Sequence, residues 1–257
     1  MNLETAFIAL AAMLVLGLVG WLLSLLKQDV SVVDSFWSLF FLLGAIIYID
    51  IDSAGWREGF LLALVMVWAL RLSIYIAWRH RGQQEDARYQ DIRANNQPHF
   101  ALKSLYLIFG FQALLAWIIS MPLFAALQNV SEFGWLDLIG VGLWLAGMFF
   151  EVVGDQQMYD FKQDPDNRGK VMNRGLWGYT RHPNYFGEFL IWWGFFAFAL
   201  SSGAWWTLFS PLIMSVLLLK FSGVALTEKN MSERPGYREY IARTNAFFPG
   251  PSSEYRP

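Results

Sequence analysis

The sequence contains no cysteine, only three histidines and few charged residues. Without cysteine the chain forms no disulfide, offers no thiolate ligand to a metal and has no cysteine nucleophile. The histidines lack metal-ligand spacing, so we expect no metal site. Charged residues make up 16% of the chain, against about 25% in soluble domains. The net charge of −2 gives no reason to expect a nucleic-acid partner.

Apolar residues are abundant instead, at 56% of the chain. Runs of membrane-spanning length, about 20 residues, recur along it. We therefore predict an all-α integral membrane protein with about seven transmembrane helices and a cytoplasmic polar cap, forming one domain over residues 1–257. The predicted spans are Ala6–Leu26, Val32–Ile49, Gly59–Trp78, Ser104–Leu127, Gly134–Gly154, Phe186–Leu200 and Ala204–Gly223.

The basic residues predict the orientation of this bundle. Sixteen of the 19 lysines and arginines fall after the first span, between the third and fourth, between the fifth and sixth, or in the C-terminal tail. The loops on the opposite side hold only Arg57, while Arg71 and Lys220 lie inside spans. Because cytoplasmic loops carry an excess of Lys and Arg, we expect an outside N-terminus and a cytoplasmic C-terminus.

The densest group of polar residues is the segment Arg174-Gly-Leu-Trp-Gly-Tyr-Thr-Arg-His-Pro-Asn-Tyr-Phe-Gly-Glu188, which leads into the sixth span. Polar groups at a membrane boundary are costly unless they bind something. Pro183 suits the first turn of a helix. A helix start presents free N–H groups and partial positive charge, and Arg181 and His182 lie beside it. The segment therefore predicts a site for a phosphate or carboxylate.

Other polar residues lie in or next to the spans. Glu151, Asp155, Tyr159 and Lys162 follow one another at helical spacing and form either a solvated helix end or one wall of a polar site. Arg71 lies about two turns inside the third span, above Tyr75, and Asp34 of the second span is its expected ion-pair partner. An ionisable residue inside a membrane indicates function, although Arg71 can also snorkel.

Two further features, a loop and the tail, keep two interpretations each. The mixed-charge loop Arg79–Lys103 is either solvated or functional, and Gln112 favours an interhelical hydrogen bond. The tail residues Tyr237, Tyr240, Ile241 and Phe247 form an aromatic face that packs either on the bundle or on a planar ligand.

The segment Gly175–Glu188, the apolar span after it and the tail Tyr237…Tyr240…Phe-Phe-Pro249 resemble the steroid 5α-reductase / sterol reductase superfamily. That superfamily includes the isoprenylcysteine carboxyl methyltransferases. The resemblance is to its bacterial, largely uncharacterised branch; it is specific from about Glu151 to Pro249 and weaker over Leu70–Gly82. It implies an inner-membrane enzyme that binds NADPH on the cytoplasmic side, while a lipid-soluble substrate enters from the membrane.

The resemblance also implies residue roles. The cofactor contacts expected from it are Asp155, Lys162, Arg181, His182, Asn184, Tyr185 and Glu188, with Tyr237 and Tyr240 covering the cofactor. Arg174 and Tyr179 of the polar segment are expected to bind the cofactor as well. Steroid 5α-reductases hold the substrate carbonyl with a Gln-Glu pair in an early span and polarise it with a tyrosine. Here the second span lacks that pair, Trp68 replaces the tyrosine and Gln84-Glu85 lies in a loop. Asp34, Arg71 and Tyr75 are therefore the expected catalytic residues.

The sequence thus predicts an oxidoreductase that uses NADPH to reduce a C=C bond of a steroid, sterol or fatty-acyl-like substrate. Two alternatives stay open. The methyltransferase branch shares the Arg-His-Pro core, so an S-adenosylmethionine-dependent enzyme is the first. A non-catalytic lipid-binding protein is the second. It would account for the buried polar groups, and it does not require an anion site at the helix start at Pro183.

Overall fold

A computed structural model describes residues 2–221, 228 and 234–252 of the chain. Helices account for all the regular structure in these residues. The chain divides into two compact units, Met1–Phe133 with Phe198–Thr207, and Gly134–Ala197 with Leu208–Pro257. The all-helical prediction is confirmed for the described residues. The predicted end of the seventh span, Gly223, and the tail cations Lys229 and Arg256 lie outside them.

The described residues of the first unit include seven complete α-helices. They are α1 Leu3–Lys27, α2 Val32–Tyr48, α3 Trp56–Arg79, α4 Ala87–Asn95, α5 Phe100–Ser104, α6 Phe111–Ile119 and α7 Met121–Gln128, with a π-helical segment at Leu105–Gly110 between α5 and α6. Two serine hydroxyls join α2 to α3, because Ser38 donates to the carbonyl of Ala69 at 2.8 Å and Ser73 to that of Ser35 at 2.7 Å. These bonds fix how the two helices align along each other.

The fourth predicted span, Ser104–Leu127, is not one helix. The chain ends α6 at Ile119 and begins α7 at Met121. Pro122 lies in the first turn of α7, where its missing N–H costs nothing, whereas inside a continuous helix it would remove a hydrogen bond and clash with the preceding turn. The seventh span is likewise divided into a 3₁₀ turn at Trp205–Leu208, α10 Phe209–Val216 and a π-helical segment at Leu217–Phe221.

Arg57, expected in an outer loop, instead lies in the first turn of α3 and is only 1% exposed. Its guanidinium donates to Glu58 at 3.2 Å and to the backbone carbonyls of Ala126 at 3.3 Å and Phe198 at 2.8 Å. Glu58 in turn accepts from the N–H of Gly55 at 2.9 Å. A buried charge is tolerated when it is paired and hydrogen-bonded, and these contacts explain why the loop prediction was wrong.

The second unit is built on the long helix α8, Trp135–Gln163, and on α9, Pro183–Ser201, whose first fifteen residues belong to it. Two pairs of glycines lie where these helices cross. A Cβ atom on Gly147 would lie 2.6 Å from the carbonyl oxygen of Gly187, and one on Gly194 would lie 2.8 Å from that of Gly140. The helices therefore pack backbone to backbone, the arrangement that small residues permit within membranes.

The described residues contain four helices that are long and apolar enough to cross a membrane. Two shorter apolar helices accompany them, Val32–Tyr48 and Trp205–Lys220. The four long helices are Leu3–Lys27, Trp56–Arg79, Phe100–Ile119 and Trp135–Gln163.

Candidate functional site

All the residues predicted to contact a cofactor lie in the second unit. The segment that precedes α9 is fixed on α8 by two hydrogen bonds. The amide oxygen of Gln157 accepts from the N–H of Leu176 at 2.9 Å, and the indole of Trp177 donates to the carbonyl of Gly154 at 2.9 Å. Gly175 has a φ of +56°, and a Cβ there would strike Gln157 at 2.5 Å. Glycine is therefore required at this turn.

The start of α9 lies directly against α8. A Cβ on Gly154 would be 3.2 Å from the ring of Pro183, so Gly154 leaves the room that the helix start occupies. The amide of Asn184 donates to Asp155 at 3.4 Å, which brings these two predicted residues together. The amide oxygen Oδ1 of Asn184 is buried and accepts no hydrogen bond within the described chain. A buried acceptor without a donor is costly, so this oxygen is suited to a ligand that carries an N–H or O–H group.

Arg181 is not a free cation beside this helix start. It is 9% exposed and pairs with Glu228 at 2.7 Å. Its Nη1 also donates to the backbone carbonyls of Thr244 at 2.5 Å and Ile241 at 3.2 Å, and its backbone N–H donates to the carbonyl of Asn245 at 2.9 Å. Arg181 therefore fastens the C-terminal tail to the beginning of α9, a role that the sequence did not reveal.

His182 is buried and stacks on Tyr185, with ring centroids 5.6 Å apart and planes inclined by 13°. Burial lowers the pKa of His182 to about 4, against the opposing pull of Glu228, which lies 3.4 Å from Nε2. At neutral pH the imidazole is therefore uncharged. It provides hydrogen bonding and a flat ring, and it adds no positive charge for a phosphate.

Tail residues complete this region. Tyr237 and Tyr240 belong to α11, Tyr237–Arg243, and both are buried, with ring centroids 5.9 Å apart. Tyr240 donates its hydroxyl to the carbonyl of Trp177 at 2.6 Å, and burial raises the pKa of both phenols. Glu188 is also buried and accepts from the indole of Trp192 at 3.0 Å. The tail thus packs on the protein, as one of the two sequence interpretations expected.

Three predicted residues have exposed side chains. Lys162, Arg174 and Tyr179 are exposed at the surface of the second unit, Tyr179 by 55%. Arg181 is paired with Glu228 and His182 is neutral, whereas the cationic side chains of Lys162 and Arg174 are exposed.

The predicted catalytic residues all lie in the first unit. Arg71 and Tyr75 are together, with the guanidinium carbon 5.1 Å from the centre of the tyrosine ring. The predicted ion pair between Asp34 and Arg71 is wrong. Asp34 instead accepts from Arg88 at 2.9 Å and from the hydroxyl of Tyr89 at 2.5 Å. Arg88 and Tyr89 reach Asp34 because α4 folds back toward the first turn of α2.

The loop Arg79–Lys103 is accordingly not simply solvated. Glu85 accepts from the N–H of Val30 at 2.8 Å and pairs with Arg93 at 2.7 Å. The backbone N–H of Asp86 donates to the hydroxyl oxygen of Ser31 at 2.8 Å. His80 lies 2.6 Å from Asp29. The amide of Gln112 donates to Tyr89 at 3.3 Å, so the predicted interhelical hydrogen bond of Gln112 is confirmed.

Residues 20–244 match a family described as "Protein of unknown function (DUF1295)". The chain belongs to this family. It is 30% identical, over 96% of its length and 80% of the relative's, to an uncharacterized protein of Schizosaccharomyces pombe. No solved structure matches it.

Shorter matches connect the chain to proteins with named activities. It is 40% identical over 58 residues to 3-oxo-5-alpha-steroid 4-dehydrogenase 1 of Macaca fascicularis, covering 23% of this chain and 22% of the relative. It is 33% identical over 67 residues to steroid 5-alpha-reductase DET2 of Gossypium hirsutum, covering 26% of each. The chain thus matches about a quarter of these two relatives. The resemblance to the steroid 5α-reductases that the sequence predicts is confirmed.

Proposed function

We propose that this protein is a membrane reductase of steroid-like, lipid-soluble substrates, that it uses NADPH, and that it reduces a C=C bond. The observation that carries the proposal is the start of α9, where a buried, unsatisfied amide oxygen of Asn184 lies among the predicted cofactor residues. The partial matches to named steroid reductases support the reaction class.

The residues of the second unit fit NADPH in chemical terms. The Oδ1 atom of Asn184 offers an acceptor for an amide N–H of the cofactor, and the stacked rings of His182 and Tyr185 offer flat apolar surface. Lys162 and Arg174 supply exposed positive charge for phosphates. When bound, NADPH supplies a hydride, and the protein supplies orientation and charge stabilisation. Neutral His182 and the protonated phenols of Tyr237 and Tyr240 place no negative charge beside it.

In this proposal Asp34, Arg71 and Tyr75 of the first unit act on the substrate. A tyrosine hydroxyl such as that of Tyr75 can donate the proton that accompanies the hydride. The guanidinium of Arg71 lies over the ring of Tyr75, with its carbon 5.1 Å from the ring centre.

We also propose seven membrane crossings, with the N-terminus outside, the C-terminus in the cytoplasm and the cofactor residues on the cytoplasmic side of an inner membrane. The distribution of Lys and Arg supports this orientation. The single domain expected over residues 1–257 stays a prediction.

The proposed function is tested by incubating the detergent-purified protein with NADPH and an extract of membrane lipids. We expect loss of NADPH absorbance together with a lipid product that is heavier by two hydrogen atoms. Methyl transfer from S-adenosylmethionine to the same extract, without NADPH consumption, would contradict the proposal and support the methyltransferase alternative.

A further inference from the structure

Gln112 carries a polar group that the first unit leaves unsatisfied. The residue lies in α6, which begins at Phe111, within an apolar helix long enough to cross a membrane. Its side-chain nitrogen Nε2 donates to the hydroxyl of Tyr89 at 3.3 Å. Its oxygen Oε1 is buried and has no hydrogen-bond partner in the described part of the chain.

The chemistry of Tyr89 determines which end of the Gln112 amide faces it. A tyrosine hydroxyl has one proton to donate, and the proton of Tyr89 is committed to Asp34, at 2.5 Å. Burial and the adjacent charge of Asp34 raise the pKa of Tyr89, so the phenol keeps this proton. The amide group next to the hydroxyl must therefore be the NH₂ end, and the oxygen of Gln112 must point elsewhere.

No neighbouring group of the described chain donates to this oxygen. Arg88, the nearest cation of the network, donates to Asp34 at 2.9 Å and to Asp86 at 2.9 Å and 3.2 Å. The proton of Tyr89 is used as well. What remains available is an acceptor, so a ligand that complements it must bring a hydrogen-bond donor.

The backbone next to Gln112 is also unusual. The π-helical segment Leu105–Gly110 leads directly into α6. Its wider turn changes the direction in which the following side chains point. π-helical turns are rare and occur frequently at functional sites. Gln112, which carries the unsatisfied oxygen, therefore lies two residues after a type of helical turn that is frequent at functional sites.

We propose that Oε1 of Gln112 accepts a hydrogen bond from the hydroxyl group of a lipid-soluble alcohol, with Tyr89 and Asp34 holding the amide in position. Among uncharged lipids with a single oxygen function, an alcohol can give a proton to this oxygen, whereas a ketone or an ether cannot. The inference rests on the proposed function for the role of this lipid as substrate. The binding site itself is independent of NADPH.

The test is an equilibrium titration of the detergent-purified full chain, without NADPH, using two alcohols, cholesterol and dodecanol. Each is compared with its methyl ether, and cholesterol also with cholestenone. We expect at least one alcohol to bind about tenfold more tightly than its ether, the effect of one hydrogen bond at a buried acceptor. Cholestenone should bind no better than the ether.

The variant Gln112→Leu should reduce the alcohol-to-ether ratio to near one while leaving affinity for the ether unchanged. Because it removes an unsatisfied buried acceptor, it should not lower the thermal midpoint, which separates loss of the contact from misfolding. Gln84→Leu, the same change at an exposed position of the α3–α4 loop, is the matched control and should keep the full ratio.

Equal affinities for alcohol and ether in the wild type, or failure of every probe to bind, would overturn the inference. So would an undiminished ratio in Gln112→Leu. An alcohol preference that disappears in Gln112→Leu, in a protein that does not bind NADPH, would support this site and contradict the proposed function alone.

Discussion

Gly147 and Gly187 face each other where α8 crosses α9, so closely that a Cβ on either would collide with the carbonyl oxygen of the other. A Cβ on Gly187 would also lie 2.8 Å from Cγ of the buried Glu151. This crossing determines where Glu151 and Glu188 lie, since each belongs to a helix held at that point. The contact therefore connects the packing of the second unit to its candidate cofactor residues.

Gly187→Ala should destabilise the protein, because the obstructing atoms include backbone, which cannot move aside cheaply. We expect a loss on the order of 1–3 kcal/mol, the usual effect of overpacking, seen as a lower thermal midpoint in detergent.

Gly142→Ala is the matched control, because it lies on the same helix α8 with nothing within 4 Å of its added Cβ. It should leave stability unchanged or raise it slightly, since alanine favours helix over glycine by about 1 kcal/mol. A Gly187→Ala variant as stable as Gly142→Ala would show that the helices do not approach this closely.

The sequence predicts the apolar helices well, because hydropathy reports directly on the environment in which a helix is buried. The predicted span Val32–Ile49 differs from α2 by one residue. Hydropathy does not predict the break at Ser120, since a window average registers the polarity of Pro122 and not its missing N–H. It also leaves Arg57 in a loop, because the carbonyls that accept from it belong to distant parts of the chain.

Arg181→Ala should destabilise the second unit rather than act only on a ligand. The variant leaves Glu228 without its partner and frees the tail carbonyls of Ile241 and Thr244. Breaking a fully buried ion pair from one side costs about 3–5 kcal/mol of stability. We expect a smaller loss here, because Glu228 is 23% exposed and solvent screens its charge. Differential scanning fluorimetry measures the midpoint, and limited proteolysis reports on release of the tail.

Arg238→Ala, at an exposed arginine of α11, is the control for this variant. It should leave both the midpoint and the proteolysis pattern unchanged. If Arg181→Ala behaved in the same way, the ion pair with Glu228 would contribute nothing measurable to stability.

His182 predicts a pH dependence of stability. Its pKa in the folded protein is about 4, below the value of about 6.5 for an exposed histidine. Between about pH 6.5 and pH 4 the unfolded chain therefore binds a proton at this histidine that the folded protein does not bind. Stability falls as the pH drops through this range. The total loss is about 3 kcal/mol, given roughly 1.4 kcal/mol for each pKa unit.

A thermal midpoint measured across this pH range should fall less steeply in His182→Gln than in the wild type. His99→Gln, at an exposed histidine, should retain the wild-type slope. The same slope in all three proteins would show that His182 titrates normally and is not buried.

The proposed orientation can be tested by labelling, because the native chain has no cysteine. Single cysteines introduced by Asp52→Cys and Gln84→Cys, both at exposed positions, lie on either side of α3. We expect an impermeant thiol reagent on intact cells to label the first and not the second. Labelling of both from the same side would contradict the proposed arrangement of spans.

The candidate site was predicted only in part, for reasons that particular residues make clear. The pairing of Asn184 with Asp155 follows from where α9 starts, which Pro183 marks in the sequence. Tyr89 was missed because it lies in a polar loop, and its burial depends on how α4 packs against the first turn of α2. Charge alone also suggested that Arg181 was available, whereas Glu228 and the tail carbonyls occupy it.

Calorimetric binding of NADPH and of S-adenosylmethionine to the detergent-purified protein tests the central claim most directly. We expect NADPH to bind and S-adenosylmethionine not to. Arg174→Ala, which removes an exposed cation, should weaken NADPH binding by about 1–3 kcal/mol without changing the thermal midpoint. Arg81→Ala, at an exposed arginine of the first unit, should have no effect. Tight binding of S-adenosylmethionine with no binding of NADPH would contradict the account.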